Sequence, residues 1–233
     1  MADSKTVVVT AFGPWAKTAT NPAAETLAVL AAQSWDNCRF VPIEVPVETN
    51  GLLPRVEEAL LTHRPTVWMG LGVAPGALGM RAEAVGINCR DFDVEDNDGV
   101  VLNGAPIVEA GAAAYFATLP VRDIVAAIQA KGIPTALSYA AGTHLCNQML
   151  YTSLHLIERH GLATRCGFLH VPYTPAFVAH AFSAEEVQPS MALDLMATAA
   201  RTAIDVSLQR IADGETTRGS PDDGLALAAA EGT

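Results

Sequence analysis

The sequence predicts an α/β fold: a single-domain three-layer sandwich with a mostly parallel twisted sheet flanked by helices. Three observations carry this expectation. Short runs of β-branched and aliphatic residues alternate with helix-length segments, the pattern of βαβ units. Half of the 233 residues are hydrophobic and 17% are charged, which supplies one sizeable core and excludes a chain disordered throughout. No repeat or linker divides the chain, so residues 1–212 are expected to form one domain. Residues 213–233, with Gly, Ser, Pro and paired acids, are expected to form a disordered tail.

Each element has its own local reason. Thr6-Val7-Val8-Val9-Thr10 is a β-branched run that reads as a buried strand. Ala11-Phe12-Gly13-Pro14-Trp15 then reads as a turn carrying two aromatics. Asn21-Pro22 opens a helix reaching to about Ser34, because Asn caps free amides and Pro suits a first turn. Residues 39–45 form the second strand, and residues 51–63 a helix with Val56, Leu60 and Leu61 on one side. A third strand over residues 66–71 runs into the glycine-rich stretch Gly70-Leu71-Gly72-Val73-Ala74-Pro75-Gly76. Residues 81–88 read as one extended segment. The five acids of residues 91–98 read as a solvated loop that closes in the turn Asn97-Asp98-Gly99. A helix over residues 121–131 stops at Gly132, a strand spans residues 135–139, and a helix spans residues 144–160. The last clear strand covers residues 165–171, and a closing helix runs from Ser190 to about Ile211.

Charge and cysteine usage exclude several classes. Fourteen Lys and Arg against 25 Asp and Glu give a net charge of −11, which disfavours nucleic-acid and anionic-membrane partners. No apolar run reaches the roughly 18 residues that span a bilayer. Met-Ala-Asp-Ser-Lys leads directly into the first strand without a signal-peptide core, so a soluble, intracellular protein is expected. Cys38, Cys89, Cys146 and Cys166 form no CxxC pair, which excludes a zinc ribbon or a thioredoxin motif; all four are expected as reduced thiols.

Chemistry concentrates in two segments. In Ser138-Tyr139-Ala140-Ala141-Gly142-Thr143-His144-Leu145-Cys146-Asn147 a strand ends, small residues turn the chain, and a cysteine arrives in the first turn of a helix. Amides and the helix dipole there favour a thiolate and can hold an oxyanion; the other reading is a buried cysteine acting as a small hydrophobe. In Cys166-Gly167-Phe168-Leu169-His170-Val171-Pro172 a histidine ends an apolar strand, where open α/β sheets place their ligand crevice. His170 reads either as a base for Cys146 or as a structural histidine capping the strand. Glu83 stands in an apolar extended segment, so it either faces solvent or orients an imidazole. Phe12 and Trp15 read either as core or as a crevice wall. His144 stands beside the Cys146 segment, whereas His155 and His160 lie along a helix and read as solvated.

Six segments occur in order: Phe12-Gly13-Pro14-Trp15, Asn21-Pro22, Glu83 with Asn88, Asp96-Asn97 before Gly99, residues 141–147, and residues 167–172. Together they resemble the pyroglutamyl peptidase I family, the pyrrolidone-carboxylate peptidases, over roughly residues 6–180. The resemblance implies a cytosolic cysteine peptidase with no metal or cofactor, assembled as a homodimer or homotetramer. It implies removal of an N-terminal pyroglutamate through an acyl-enzyme, with Cys146 as nucleophile, His170 as general base and acid, and Glu83 as orienting carboxylate. Phe12 and Trp15 would sandwich the lactam ring, with Asn21, Val73, His144 and Leu145 completing the substrate-binding set. Three positions depart from the family pattern. Val73 stands where the family has a lactam-reading glutamine, Asp93 where it has an arginine, and Glu95 where it has a proline. Two further readings therefore accompany the first: a hydrolase of another small cyclic or compact acyl amide, and a catalytically silent small-molecule-binding relative.

Overall fold

The computed structural model describes residues 5–15, 18–92, 94–183, 186 and 188–214. Its first half contains β1 (Thr6–Phe12), α1 (Pro22–Ala31), β2 (Arg39–Val45), α2 (Leu52–His63), β3 (Val67–Val73), β4 (Met80–Glu83), β5 (Val85–Ile87) and β6 (Arg90–Phe92). The second half contains β7 (Leu102–Ala105), β8 (Ala114–Phe116), α3 (Val121–Gln129), β9 (Thr135–Ser138), α4 (Leu145–Arg159), β10 (Arg165–Val171), α5 (Pro175–Ala181) and α6 (Leu193–Ala212). Asn21 caps α1 by accepting from the Ala23 amide at 2.9 Å, with Pro22 behind it. α2 stops where Arg64 turns left-handed at φ 40°.

Six strands form the central sheet in the order β2-β1-β3-β10-β4-β9. β2, β1, β3 and β10 run parallel; β4 is antiparallel to β10, and β9 is parallel to β4. The two-residue period of a strand divides the core. On β1, Val7, Val9 and Ala11 join one apolar cluster with Leu27 and Leu30 of α1, Ile124 and Ile128 of α3, and Ile204 and Leu208 of α6. Val8 and Phe12 join the other with Leu52, Val56 and Leu60 of α2 and Leu145, Met149 and Leu156 of α4. Two helical layers thus sandwich the sheet. Among the described residues no helix is long and apolar enough to cross a membrane.

The chain departs from its sequence reading at five places. Residues 81–88 are two strands, not one: β4 stays in the main sheet, and β5 leaves it to pair with β8. Ala84 is the corner, donating to the Ser138 carbonyl and accepting from the Ala117 amide. The acidic segment is not simply solvated. Its first part is β6, paired with β7, and Asp96 is 5% exposed, accepting from the amides of Thr49, Asp98 and Val100. α5 was not anticipated, although Thr174-Pro175 repeats the Asn21-Pro22 signal and the Thr174 hydroxyl caps the Phe177 amide at 3.1 Å. α1 ends at Ala31 rather than Ser34, and α6 begins at Leu193 rather than Ser190. The expected tail falls, beyond Gly214, outside the described residues.

Candidate active site

The site is built where three chain directions converge. After β9 the chain turns through Gly142, whose φ of +79° is the left-handed conformation that glycine adopts at little cost. His144 then stands at the N-cap of α4, and Cys146 is the second helical residue. Amides of a first helical turn have no acceptor within the helix, so they face the space beside the thiol. The sulfur lies against Gly72 of β3. A β-carbon at Gly72 would sit 2.6 Å from Cys146 Sγ and 2.8 Å from Phe168 Cζ, so glycine makes the seat for the thiol.

Gly72 pairs in parallel register with His170 of β10, which sets the imidazole on the strand next to that seat. On the other side of β10 the antiparallel pairing places Glu83 opposite Phe168 and Arg81 opposite His170. Glu83 and His170 are therefore diagonal neighbours on one face of the sheet, within reach of long side chains. Glu83 Oε1 lies 2.7 Å from His170 Nδ1. Glu83 is fully buried and His170 is 5% exposed. Glu83 Oε2 has no hydrogen-bond partner among the described residues. The Phe168 ring meets the imidazole edge-on, with centroids 5.0 Å apart.

Opposing effects set the charge of His170. Burial pushes its pKa down, because a dry site disfavours imidazolium. Cys146, through charge and a hydrogen bond, and then Glu83, through the same two effects, outweigh burial and lift it to about 9. Cys166 sits in the opposite environment, wholly buried, where desolvation pushes its thiol pKa far up. All four cysteines are free.

A cleft of about 660 Å³ opens at the carboxyl ends of β1, β3 and β10, with Cys146 and His170 in its wall. Phe12, Trp15, Asn21, Val73, His144 and Leu145 all line it; Glu83 stands behind His170 and does not. Phe12 is 4% exposed and packs as much into the core as toward the cleft. Trp15 Nε1 donates to the Glu95 carbonyl at 3.0 Å, so that residue acts here through its backbone. Asn21 uses both ends of its amide on the protein, donating to the Gly13 carbonyl at 2.8 Å while capping α1. It holds the Phe12–Trp15 turn in place. His144 packs edge-on against Phe92 at 4.3 Å, and burial lowers its pKa, which favours a neutral ring. Asp93 lies outside the described residues.

Sequence reading missed Gly72, Phe92 and an aromatic group on the cleft rim. Tyr173 stacks on Phe177 at 4.9 Å, and Phe182 leans on both. The spacing Val171-Pro172-Tyr173-Thr174-Pro175, a strand end followed by a helix start, is the signal that marks them. His155 and His160, expected as solvated, have partners. His155 Nδ1 meets the Tyr115 hydroxyl at 3.1 Å, and His160 meets Glu57 at 2.6 Å. Both anchor α4 rather than the cleft. Among the described residues no three His, Cys, Asp or Glu side chains gather as metal ligands would.

Residues 5–210 match the model of the family described as pyroglutamyl peptidase. The chain is 37% identical over 208 residues to pyrrolidone-carboxylate peptidase 1 of Ralstonia nicotianae, covering 89% of this chain and 95% of that one. It is 32% identical over 213 residues to the pyrrolidone-carboxylate peptidase of Thermococcus kodakarensis, covering 91% and 98%. The solved pyrrolidone carboxyl peptidase from Thermococcus litoralis superposes with a TM-score of 0.86 at 31% identity, over 93% of this chain and 99% of that one. With nearly its whole described length matched in this way, the chain belongs to the pyroglutamyl peptidase family of cysteine peptidases.

Proposed function

We propose that this protein removes N-terminal pyroglutamate from peptides by thiol chemistry, with Cys146, His170 and Glu83 as its triad. The observation that carries the reading is the buried Glu83–His170 contact of 2.7 Å beside a cysteine at a helix start. At neutral pH a histidine with a pKa near 9 is imidazolium, a charge that supports sulfur as the attacking nucleophile. The thiolate adds to the carbonyl carbon of the pyroglutamyl residue, and amides of the first α4 turn take the resulting oxyanion. His170 gives its proton to the leaving amine nitrogen as the C–N bond breaks, which leaves a thioester on Cys146. His170, now neutral, takes a proton from water as that water attacks the thioester, releasing pyroglutamate and restoring the pair. Glu83 keeps the ring oriented and supports its positive form throughout.

The lactam is flat and uncharged, and the cleft offers apolar surface on Phe12, Trp15, Val73 and Leu145 to hold it. Neither the other-amide reading nor the silent-relative reading is favoured by family membership. A homodimer or homotetramer and a cytoplasmic location, which the resemblance implies, belong to the same proposal. The test is release of a fluorophore from pyroglutamyl-coumarin amide. Turnover blocked by iodoacetamide and absent in Cys146→Ala is the expected result; wild-type protein that is labelled at Cys146 yet leaves the substrate intact would overturn it.

A further inference from the structure

We infer that Arg81 reads a carboxylate on the residue that follows pyroglutamate, so that the preferred substrates are short pyroglutamyl peptides with an anionic leaving residue. This rests on the peptidase reading above and adds to it the chemistry of the departing side. The leaving nitrogen must sit at His170, because that ring supplies its proton. Arg81 pairs directly across from His170 in the β4–β10 ladder and lines the same cleft. Directly opposed residues of an antiparallel pair carry Cβ atoms about 4.5–5.5 Å apart on one face. A guanidinium on that Cβ therefore stands beside whatever is attached to the leaving nitrogen.

The charge there is available. Arg55, Arg159, Arg201 and Arg210 are ion-paired with carboxylates, and Arg90 donates to the Pro106 carbonyl. Arg81 is exposed and has no side-chain hydrogen bond or ion pair among the described residues. It is also the one Lys or Arg among the described residues lining the cleft, where the one carboxylate is Asp91. The net charge of −11 repels anions only weakly at this point, because exposed charges beyond about 8 Å are screened at physiological salt. A guanidinium in contact offers a charge-assisted, two-pronged hydrogen bond to a carboxylate, and the local effect decides.

Three pairs of substrates test this in one assay: pyroglutamyl-alanine against its amide, pyroglutamyl-aspartyl amide against pyroglutamyl-asparaginyl amide, and pyroglutamyl-lysyl amide against pyroglutamyl-glutaminyl amide. The first pair probes a terminal carboxylate and the second a side-chain one. The expected result is a preference for the acid of about three- to tenfold in kcat/KM in at least one of the first two pairs, the size of one partly exposed ionic hydrogen bond. It should fall mostly in KM, since a carboxylate is held equally before and during the reaction. The lysyl substrate should be disfavoured. In Arg81→Gln the acid-to-neutral ratio should collapse to about one, in Arg81→Lys part of it should return, and added salt should shrink it. Equal rates on acid and neutral partners, or a preference that survives in Arg81→Gln, would overturn the assignment while leaving the peptidase reading intact. Absence of turnover on every substrate, neutral amides included, would overturn both.

Discussion

At the scale of single residues, His170 owes its charge to its neighbours rather than to its own position. Burial alone would leave it neutral, and Cys146 contributes the largest effect in the other direction, followed by Glu83. Removing the sulfur in Cys146→Ala should therefore lower the imidazole pKa from about 9, which NMR titration of the ring protons would report. A value unchanged by the substitution would show that the thiol and the ring do not interact. Glu83→Gln should act through the ring as well, moving the alkaline limb of the pH–rate profile to lower pH. Loss of rate without that movement would assign Glu83 a purely structural part. The cysteine and the histidine stood out in the sequence because one falls in the first turn of a helix and the other near the end of a strand, both at the sheet's ligand-bearing edge. Glu83 was legible only through family resemblance, since one acid in an extended segment has two faces and periodicity does not choose between them. What decides its side is antiparallel pairing with β10, a contact 87 residues away in sequence.

At the scale of elements, β3 shapes the site by what it lacks. Gly70 and Gly72 leave room for the Phe168 ring and the Cys146 sulfur, and a β-carbon at Gly70 would lie 2.3 Å from that ring. Gly72→Ala should destabilise the fold by about 1–3 kcal/mol, the usual cost of overpacking a tight core, and depress turnover further by displacing the thiol. Urea unfolding and kcat measured together would separate the two effects, and a variant matching wild type in both would show that the seat yields freely. Asn21→Ala should cost about 1 kcal/mol through the lost cap and raise KM, because the same amide fixes the Phe12–Trp15 turn. An unchanged KM beside a lowered unfolding midpoint would confine Asn21 to capping. The elements with β-branched runs or Asx-Pro starts were legible in the chain. β5 through β8 were not, since their short strands are fixed by partners in distant segments, as in the pairing of β5 with β8. The buried turn at Asp96 was likewise hidden, because composition cannot separate an acid facing water from one gathering three amides.

At the scale of the whole molecule, the raised pKa of His170 ties folding to pH. The unfolded chain holds this proton with a pKa near 6.5, the folded chain with one near 9. Below about pH 6.5 both states are protonated and the contribution is present in full. Between 6.5 and 9 the folded state keeps a proton that the unfolded state has lost, so stability falls as pH rises, by a total of about 3 kcal/mol. Unfolding midpoints across this range should decline more steeply in wild type than in Cys146→Ala; parallel curves would place the pH dependence elsewhere. The three-layer architecture itself was readable from alternation of strand and helix, while the reversed pair β4 and β9 was not, since no local signal announces a strand's direction. That reversal has a practical consequence. Acid and imidazole are clamped together by the ladder of the central sheet, whereas Phe12, Trp15, Phe177 and Phe182 lie at its edge or beyond it. Grafting different rim segments onto this scaffold would change the cleft wall and leave the buried Glu83–His170 pair standing on its own foundation.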